Sequence, residues 1–208
     1  MVNKLHKTLA IVLGFFLITH IGVHIFTIGG PETHQRALET VQWLYRNRYV
    51  EPFLLLAIIL QIFTGIKFVA RRWREQNKSL WSWLQIISGI YLVLFFSLHT
   101  SAALMARHVF DLDTNFYWAA GTVLNKPLLW FFRPYYFFGI VAVFIHIAAA
   151  LYFNMADTAR RLWITRGMIL SAIIIATLIV ASLSGAFYKI NMPKEYIDFY
   201  NAYADLLR

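Results

Sequence analysis

Histidines inside long apolar stretches are the residues of this sequence that point most directly to chemistry. His20 lies within an apolar run that begins near residue 5, and His99 follows the largely apolar stretch 84–98. An imidazole in hydrocarbon is costly unless a cavity, a partner or a metal satisfies it, so each marks a candidate functional site. Because the sequence contains no cysteine, thiolate ligation is excluded and histidine becomes the main candidate metal ligand.

Depth along the helices predicts two pairs among the buried polar residues. His20 and His99 each lie about eight residues from one end of their runs, roughly 12 Å below the same membrane face. Gln61 and His146 each lie about a dozen residues in, roughly 17 Å deep, and form a second possible pair. Two imidazoles at one depth suit axial ligation of haem, because the porphyrin supplies the equatorial nitrogens. The alternative for each histidine is a hydrogen bond to a backbone carbonyl or a nearby hydroxyl, such as that of Thr19 or Ser97.

The remaining histidines carry weaker signals. His24 shares a helix face with His20 but lies nearer the surface. We interpret it as an ordinary hydrogen-bonded side chain, with a contact to quinone or to a haem propionate as the alternative. His6, His34 and His108 fall at interfaces or in loops, and the pattern predicts that they are solvated.

The composition assigns these histidines to a membrane protein. Of 208 residues, 60% are hydrophobic and only 14% are charged, and the mean hydropathy is +0.59. A soluble domain has roughly half apolar and a quarter charged residues. The net charge of +9 comes from basic residues at the ends of apolar runs, where they meet lipid headgroups, so nucleic-acid binding is excluded.

Five apolar runs are long enough to cross a ~30 Å hydrocarbon core, which takes about 20 helical residues. They lie near 5–28, 50–70, 80–107, 134–155 and 165–188. The first lacks a small-residue cleavage site, which favours a permanent helix over a signal peptide. With no internal repeat or linker, the sequence predicts one all-α domain over 1–208, an integral membrane bundle of five transmembrane helices.

Charge and aromatic patterns predict how the bundle sits in its membrane. The N-terminus and the short loops 71–78 and 160–166 hold Lys and Arg densely beside helix ends, which predicts an inside N-terminus and an outside C-terminus. Segment 29–49 reads as a surface helix with Leu38 on its apolar side. The aromatic segment 110–133 and the tail from Pro193 to Leu207 read as interfacial belts on the outer side.

Short segments along residues 4–155 together resemble a known family. They are Lys4-Leu5-His6, Phe16-Leu17-Ile18-Thr19-His20, Arg48-Tyr49-Val50-Glu51, Leu84-Gln85-Ile86-Ile87-Ser88-Gly89-Ile90 with His99, Asn115-Phe116 and Val143-Phe144-Ile145-His146. Their order and spacing resemble the five-helix cytochrome b subunit of succinate dehydrogenases and fumarate reductases of the two-haem, single-subunit type. The resemblance implies a membrane anchor of an energy-transducing inner (cytoplasmic) membrane. In that family the membrane subunit passes electrons between a quinone and the iron–sulfur and flavoprotein subunits on the inner face, and the resemblance implies the same role here.

The resemblance also assigns the ligands. In that family, histidines of the first and third helices hold the outer, distal haem, and those of the second and fourth hold the inner, proximal haem. His20 and His99 match the distal pair and His146 matches one proximal ligand, but Gln61 stands at the other proximal position. Ile86 stands where the family usually has an arginine. Both departures affect the proximal site, so we expect one haem b, held by His20 and His99.

The quinone and the wider function are further expectations from the resemblance. Glu51 matches an acidic residue that would accept protons from quinol, although a carboxylate beside Pro52 in a first helical turn also suits the helix dipole. The chain would be the membrane subunit of an oxidoreductase complex, without a dicarboxylate or flavin site of its own. The alternatives are a stand-alone haem protein and a non-redox membrane protein, such as a transporter or an assembly factor. Transport is disfavoured because the spans lack Asp and Glu at mid-depth.

Overall fold

The computed structural model describes residues 2–205, and this part of the chain folds into helices joined by short loops. The helices are α1 (Val2–Ile25), α2 (Pro31–Tyr45), α3 (Val50–Trp73), α4 (Leu80–His108), α5 (Phe116–Leu124), α6 (Leu129–Asn154), α7 (Ala159–Leu183) and α8 (Lys194–Asp205). A 3₁₀ turn, Phe26–Gly29, follows α1 directly.

Five of these helices, α1 with its 3₁₀ turn, α3, α4, α6 and α7, are long and apolar enough to cross a membrane. Over residues 2–205 the prediction of an all-α protein is therefore confirmed, and five of its helices have the length and apolarity that a membrane span needs. The orientation of the termini stays a prediction, because it depends on which side of the membrane each end faces.

Three predicted boundaries differ from those observed by five residues or more, and one of them is the start of α7, which lies at Ala159 rather than at residue 165. α6 begins at Leu129 rather than at Pro134, since the amide of Phe132 already bonds to the Leu128 carbonyl at 3.0 Å. α7 ends at Leu183 because Gly185 adopts a φ of +77°. The amide of Ala186 then bonds back to the Ala181 carbonyl, a left-handed closure that residues with a Cβ adopt poorly.

Small residues hold the centre of the bundle together. α6 packs against both α4 and α7, and α1 packs against α3. The contact between α6 and α7 contains fully buried alanines, among them Ala148, Ala149, Ala172 and Ala176. Without large side chains between them the two backbones approach closely, which is how helices associate where lipid removes the hydrophobic drive.

The three short helices α2, α5 and α8 lie at the end of the bundle where α1 ends and α3 begins, which we call the capped end. The opposite end carries the Arg-rich loops, and we call it the basic end. α5 packs against α6, α7, α2 and α8. Helix α2 contacts both α1 and α3, so it packs against the bundle.

The aromatic segments at the capped end differ from the predicted belts. Trp130 is exposed, but Phe116 is 1% exposed and Trp118 is also buried, so α5 is packed inside protein. In the tail, Tyr200 is buried, and its hydroxyl donates to the Trp118 carbonyl at 2.5 Å. Hydropathy could not foresee this, because aromatic residues suit a lipid interface and a protein core equally well. The tail residues Leu206 and Leu207 lie outside the described range.

Candidate functional site

A cavity of about 230 Å³ lies in the capped half of the bundle. Its walls come from α1, α3, α4 and α6, and side chains of α2, α5 and α7 complete it. Four histidines line it: His20, His24, His34 and His99. Most of the lining is apolar, with a polar rim toward the capped end. A mostly apolar cavity with a few convergent polar groups is the usual form of a ligand site.

His20 and His99 lie side by side in this cavity. Their ring centroids are 6.1 Å apart and the ring planes meet at 70°. Phe16 stacks on His20 and Phe95 stacks on His99, with ring centroids 5.3 and 5.2 Å apart. These aromatic contacts fix both imidazoles within an apolar surround.

The hydroxyls that offered another explanation for these histidines are engaged elsewhere. Thr19 donates to the Phe16 carbonyl at 2.8 Å, and Ser97 donates to the Val93 carbonyl at 2.7 Å. Both bonds run back along their own helices, a common use of Ser and Thr in membrane spans.

The pair has a spacing that suits a shared metal. With a metal–imidazole bond of about 2.0–2.1 Å, an ion held from opposite sides separates two imidazole centroids by about 6 Å. The observed value is 6.1 Å. Among residues 2–205, no group of three or more His, Asp or Glu could hold an ion. Two imidazoles supply two metal ligands, which is the number that a bis-histidine haem takes from its protein.

The cavity is small for a macrocycle, since ligand clefts usually measure roughly 300–1,000 Å³. Phe95 fills part of the space, because a Cβ added at Gly139 would lie 2.3 Å from its ring. The missing side chain at Gly139 thus leaves room that the Phe95 ring of α4 occupies. Phe95 is the side chain that would have to move to enlarge the cavity at this point.

His34 was expected to be solvated, and this expectation is wrong. Its side chain is fully buried, and Nε2 lies 3.3 Å from Nδ1 of His24. The two rings stack with centroids 5.2 Å apart, and His24 in turn contacts the edge of His20. Burial, followed by the nearby charge of His20, lowers the pKa of His34 to about 4, so its imidazole is neutral at pH 7.

The turn before α2 explains why the sequence did not predict the burial of His34. Gly30 adopts a φ of +99°, which folds α2 back across the end of α1. His34, Leu38, Gln42 and Tyr45 then line the cavity from one helix face. Their spacing of four, four and three residues is the available signal, and it would have placed His34 with the buried Leu38.

Glu51 lies at the polar rim of the cavity, where it forms an ion pair with Arg107. The Nε atom of Arg107 is buried without a partner. Arg107 was missed at the sequence level, although it lies two turns beyond His99 on the same face of α4. A second pair at the capped end joins Arg46 to Asp113 at 3.0 Å.

The predicted pairing of Gln61 with His146 is not what the hydrogen bonds show, because each has another partner. The Gln61 amide nitrogen donates to Nε2 of His6 at 3.3 Å, and Nδ1 of His6 lies 2.7 Å from the Thr64 hydroxyl. His6 is thus engaged within the bundle, although we expected it to be solvated. His108, by contrast, is exposed as expected.

His146 contacts α4 instead. Its Nδ1 lies 3.2 Å from the Ser88 hydroxyl, and its Cε1 would lie 3.3 Å from a Cβ added at Gly89. Ile86, which stands in place of the family's arginine, is buried at 1% exposure. His6, Gln61 and His146 do not belong to the lining of the capped-end cavity. We call these side chains, with Thr64 and Ser88, the basic-end cluster.

Comparison of the chain with protein-family models, curated proteins and solved structures found no match.

Proposed function

We propose that this protein is a membrane-embedded cytochrome b that holds one haem b between His20 and His99 and exchanges electrons with a quinone. The observation that carries the proposal is the pair of half-buried imidazoles whose centroids lie 6.1 Å apart at the edge of an apolar cavity. The resemblance described above supports the same two ligands.

The residues around the pair would give it a defined environment. Phe16 and Phe95 hold the two imidazole planes, and the apolar lining excludes water. Arg107 and Arg46 lie at the rim in ion pairs with Glu51 and Asp113, and a haem carboxylate could replace either partner. When bound, haem b would supply a one-electron redox centre in the capped half of the membrane.

The basic-end cluster supports one haem rather than two. A second haem would need an imidazole from α3 opposite His146, and α3 offers Gln61. A carboxamide is a poor axial ligand, and here its nitrogen donates to His6.

Quinone would bind at the polar rim of the cavity. Glu51 would accept a proton from quinol only after releasing Arg107, because the two side chains are paired. Iron–sulfur and flavoprotein subunits would dock on the basic end, beside the Arg-rich loops.

A stand-alone haem protein is the second candidate. The observation that favours it is the basic-end cluster itself. Its side chains bond to one another at the level where the family's two-haem members carry the redox centre that leads to their soluble subunits.

The experiment is a reduced-minus-oxidised absorption spectrum of the purified chain in detergent, with haem counted per chain. We expect a b-type spectrum and one haem. A chain purified without haem, and unable to take it up, would favour a non-redox role such as transport or assembly. Two haems per chain would contradict the reading of Gln61. Co-purification of flavin and iron–sulfur subunits would separate the dehydrogenase anchor from the stand-alone protein.

A further inference from the structure

One buried polar atom at the capped end has no hydrogen-bond partner among the protein groups around it. His34 is fully buried and its Nε2 contacts His24, but its Nδ1 atom is left unpaired. A buried polar atom without a partner costs about 1–3 kcal/mol, and native proteins supply a partner for nearly all of them. We therefore expect a further group to form a hydrogen bond with the Nδ1 atom of His34.

The neighbouring polar side chains are committed to other bonds. Thr27 donates to the His24 carbonyl at 2.6 Å. The Asn115 side chain accepts the first amides of α5 at 2.9 and 3.3 Å. Glu51 is paired with Arg107. The contact from α5 is the ring of Phe116, which offers no hydrogen bond. Since His34 is among the residues that line the cavity, a ligand bound there could supply the partner.

The His24–His34 pair can present either half of a hydrogen bond to that ligand. If Nδ1 of His24 carries the proton and donates to Nε2 of His34, then Nδ1 of His34 carries a proton and donates outward. If Nε2 of His34 donates instead, Nδ1 of His34 is a lone pair and accepts. Two neutral tautomers thus match a carbonyl oxygen and a hydroxyl group respectively.

This two-way chemistry selects a class of ligand. A quinone ring offers a carbonyl when oxidised and a hydroxyl when reduced, so both forms can bond to the same nitrogen. A carboxylate or a phosphate would only accept, and its charge would be better matched by an arginine.

The rest of the cavity suits the apolar part of such a molecule. Leu54, Leu55 and Ile58 of α3 line the cavity together with Leu13 of α1. Leu13 precedes His24 by eleven residues, or roughly 16 Å along the helix. The cavity thus combines a polar anchor with an extended apolar lining.

We propose that the His24–His34 pair anchors the ring of the quinone through Nδ1 of His34, which donates to a quinone carbonyl and accepts from a quinol hydroxyl, and that Glu51 stays in its ion pair with Arg107 while the ring binds. The choice of quinone rests on the proposed function. His24 acts as a positioning residue, because it sets the tautomer of His34 without contacting the ring.

The test measures binding of a short-chain benzoquinone to the full chain in detergent, followed by quenching of tryptophan fluorescence. Trp118 lines the cavity and reports on it. We expect His34→Phe to raise Kd about tenfold, the equivalent of one hydrogen bond of about 1.4 kcal/mol. His34→Gln keeps a donor and an acceptor and should recover part of the affinity. The matched control is His108→Phe, at an exposed position, with Kd within about twofold of the wild type.

Two results would overturn the proposal. One is a wild-type Kd in His34→Phe, and the other is a tenfold loss of affinity in Glu51→Gln without a loss of affinity in His34→Phe.

If His34→Phe does not fold, His24→Phe provides the same comparison, and an unchanged Kd in that variant overturns the pairing. Haem content is measured alongside quinone binding. If the chain contains no haem but His34→Phe still weakens quinone binding, the haem part of the proposed function is contradicted and the anchor is not. A haem-containing chain that binds the benzoquinone with the same Kd in the wild type and in His34→Phe would contradict the anchor alone.

Discussion

The capped-end cavity and the basic-end cluster both contain histidines, but the contacts of these histidines differ. At the basic end, His6 contacts both Gln61 and Thr64, and His146 contacts Ser88. At the capped end, His20 and His99 are held by aromatic rings and lie beside each other in the lining of a cavity. Side chains that bond to one another have few atoms free to bind a ligand, whereas rings held only by stacking keep their nitrogens available. Intramembrane histidines therefore have to be judged by their partners as well as their depth.

The strongest test of this difference replaces one buried histidine from each region. We expect His99→Ala to abolish haem binding, because it removes one of two axial ligands, and His146→Ala to leave the haem content unchanged. The reduced-minus-oxidised spectrum per mole of purified chain measures both. Equal losses in the two variants would show that the regions do not differ as described.

The pH dependence of stability should report the buried state of His34. Its pKa is lowered from 6.5 to about 4, so between these values the unfolded chain binds a proton that the folded chain does not. Stability then falls as the pH drops through this window, by at most about 3 kcal/mol from this residue.

His34→Gln does not titrate, so we expect a smaller drop in melting temperature between pH 7 and pH 4.5 than in the wild type. His20 and His24, which face His34 from α1, are present in both proteins and cancel in the comparison. Identical pH profiles would mean that His34 is not buried in its neutral form.

Two glycines allow packing in the two regions to be compared. Gly139→Ala would place a Cβ 2.3 Å from Phe95, whereas Gly89→Ala would place one 3.3 Å from His146. Overpacking costs about 1–3 kcal/mol, and Phe95 can move into the cavity. We therefore expect Gly139→Ala to lower haem affinity about tenfold with little change in melting temperature. Gly89→Ala should lower the melting temperature and spare haem affinity. The reverse pattern would place the free space at the basic end.

The smallest effect should come from a hydroxyl at the basic end. Ser88→Ala removes the partner of Nδ1 of His146, and we expect a loss of about 1 kcal/mol in unfolding free energy. The absorption spectrum of the haem should not change. A shifted spectrum would mean that His146 contacts the cofactor after all.

The five spans could be predicted from the sequence because each is a long apolar run, and hydropathy measures that property directly. The contact between His20 and His99 followed from depth alone, since two helices of one bundle share a common frame. His34 could not be placed in this way, because its burial depends on the chain reversal at Gly30. The ion pair of Glu51 with Arg107 joins α3 to α4, and no local pattern connects residues so far apart.

The clamp of α8 on α5 has a consequence for the timing of assembly. Gly121 lacks a side chain where Tyr200 lies, and Tyr200 bonds to the carbonyl of Trp118, whose ring contacts His99. About 100 residues separate His99 from Tyr200, so at roughly 5–20 residues per second the ribosome adds the clamp some 5–20 s after the histidine. The support behind Trp118, which lines the cavity, is therefore added seconds after His99, and a cofactor can enter an open site until then.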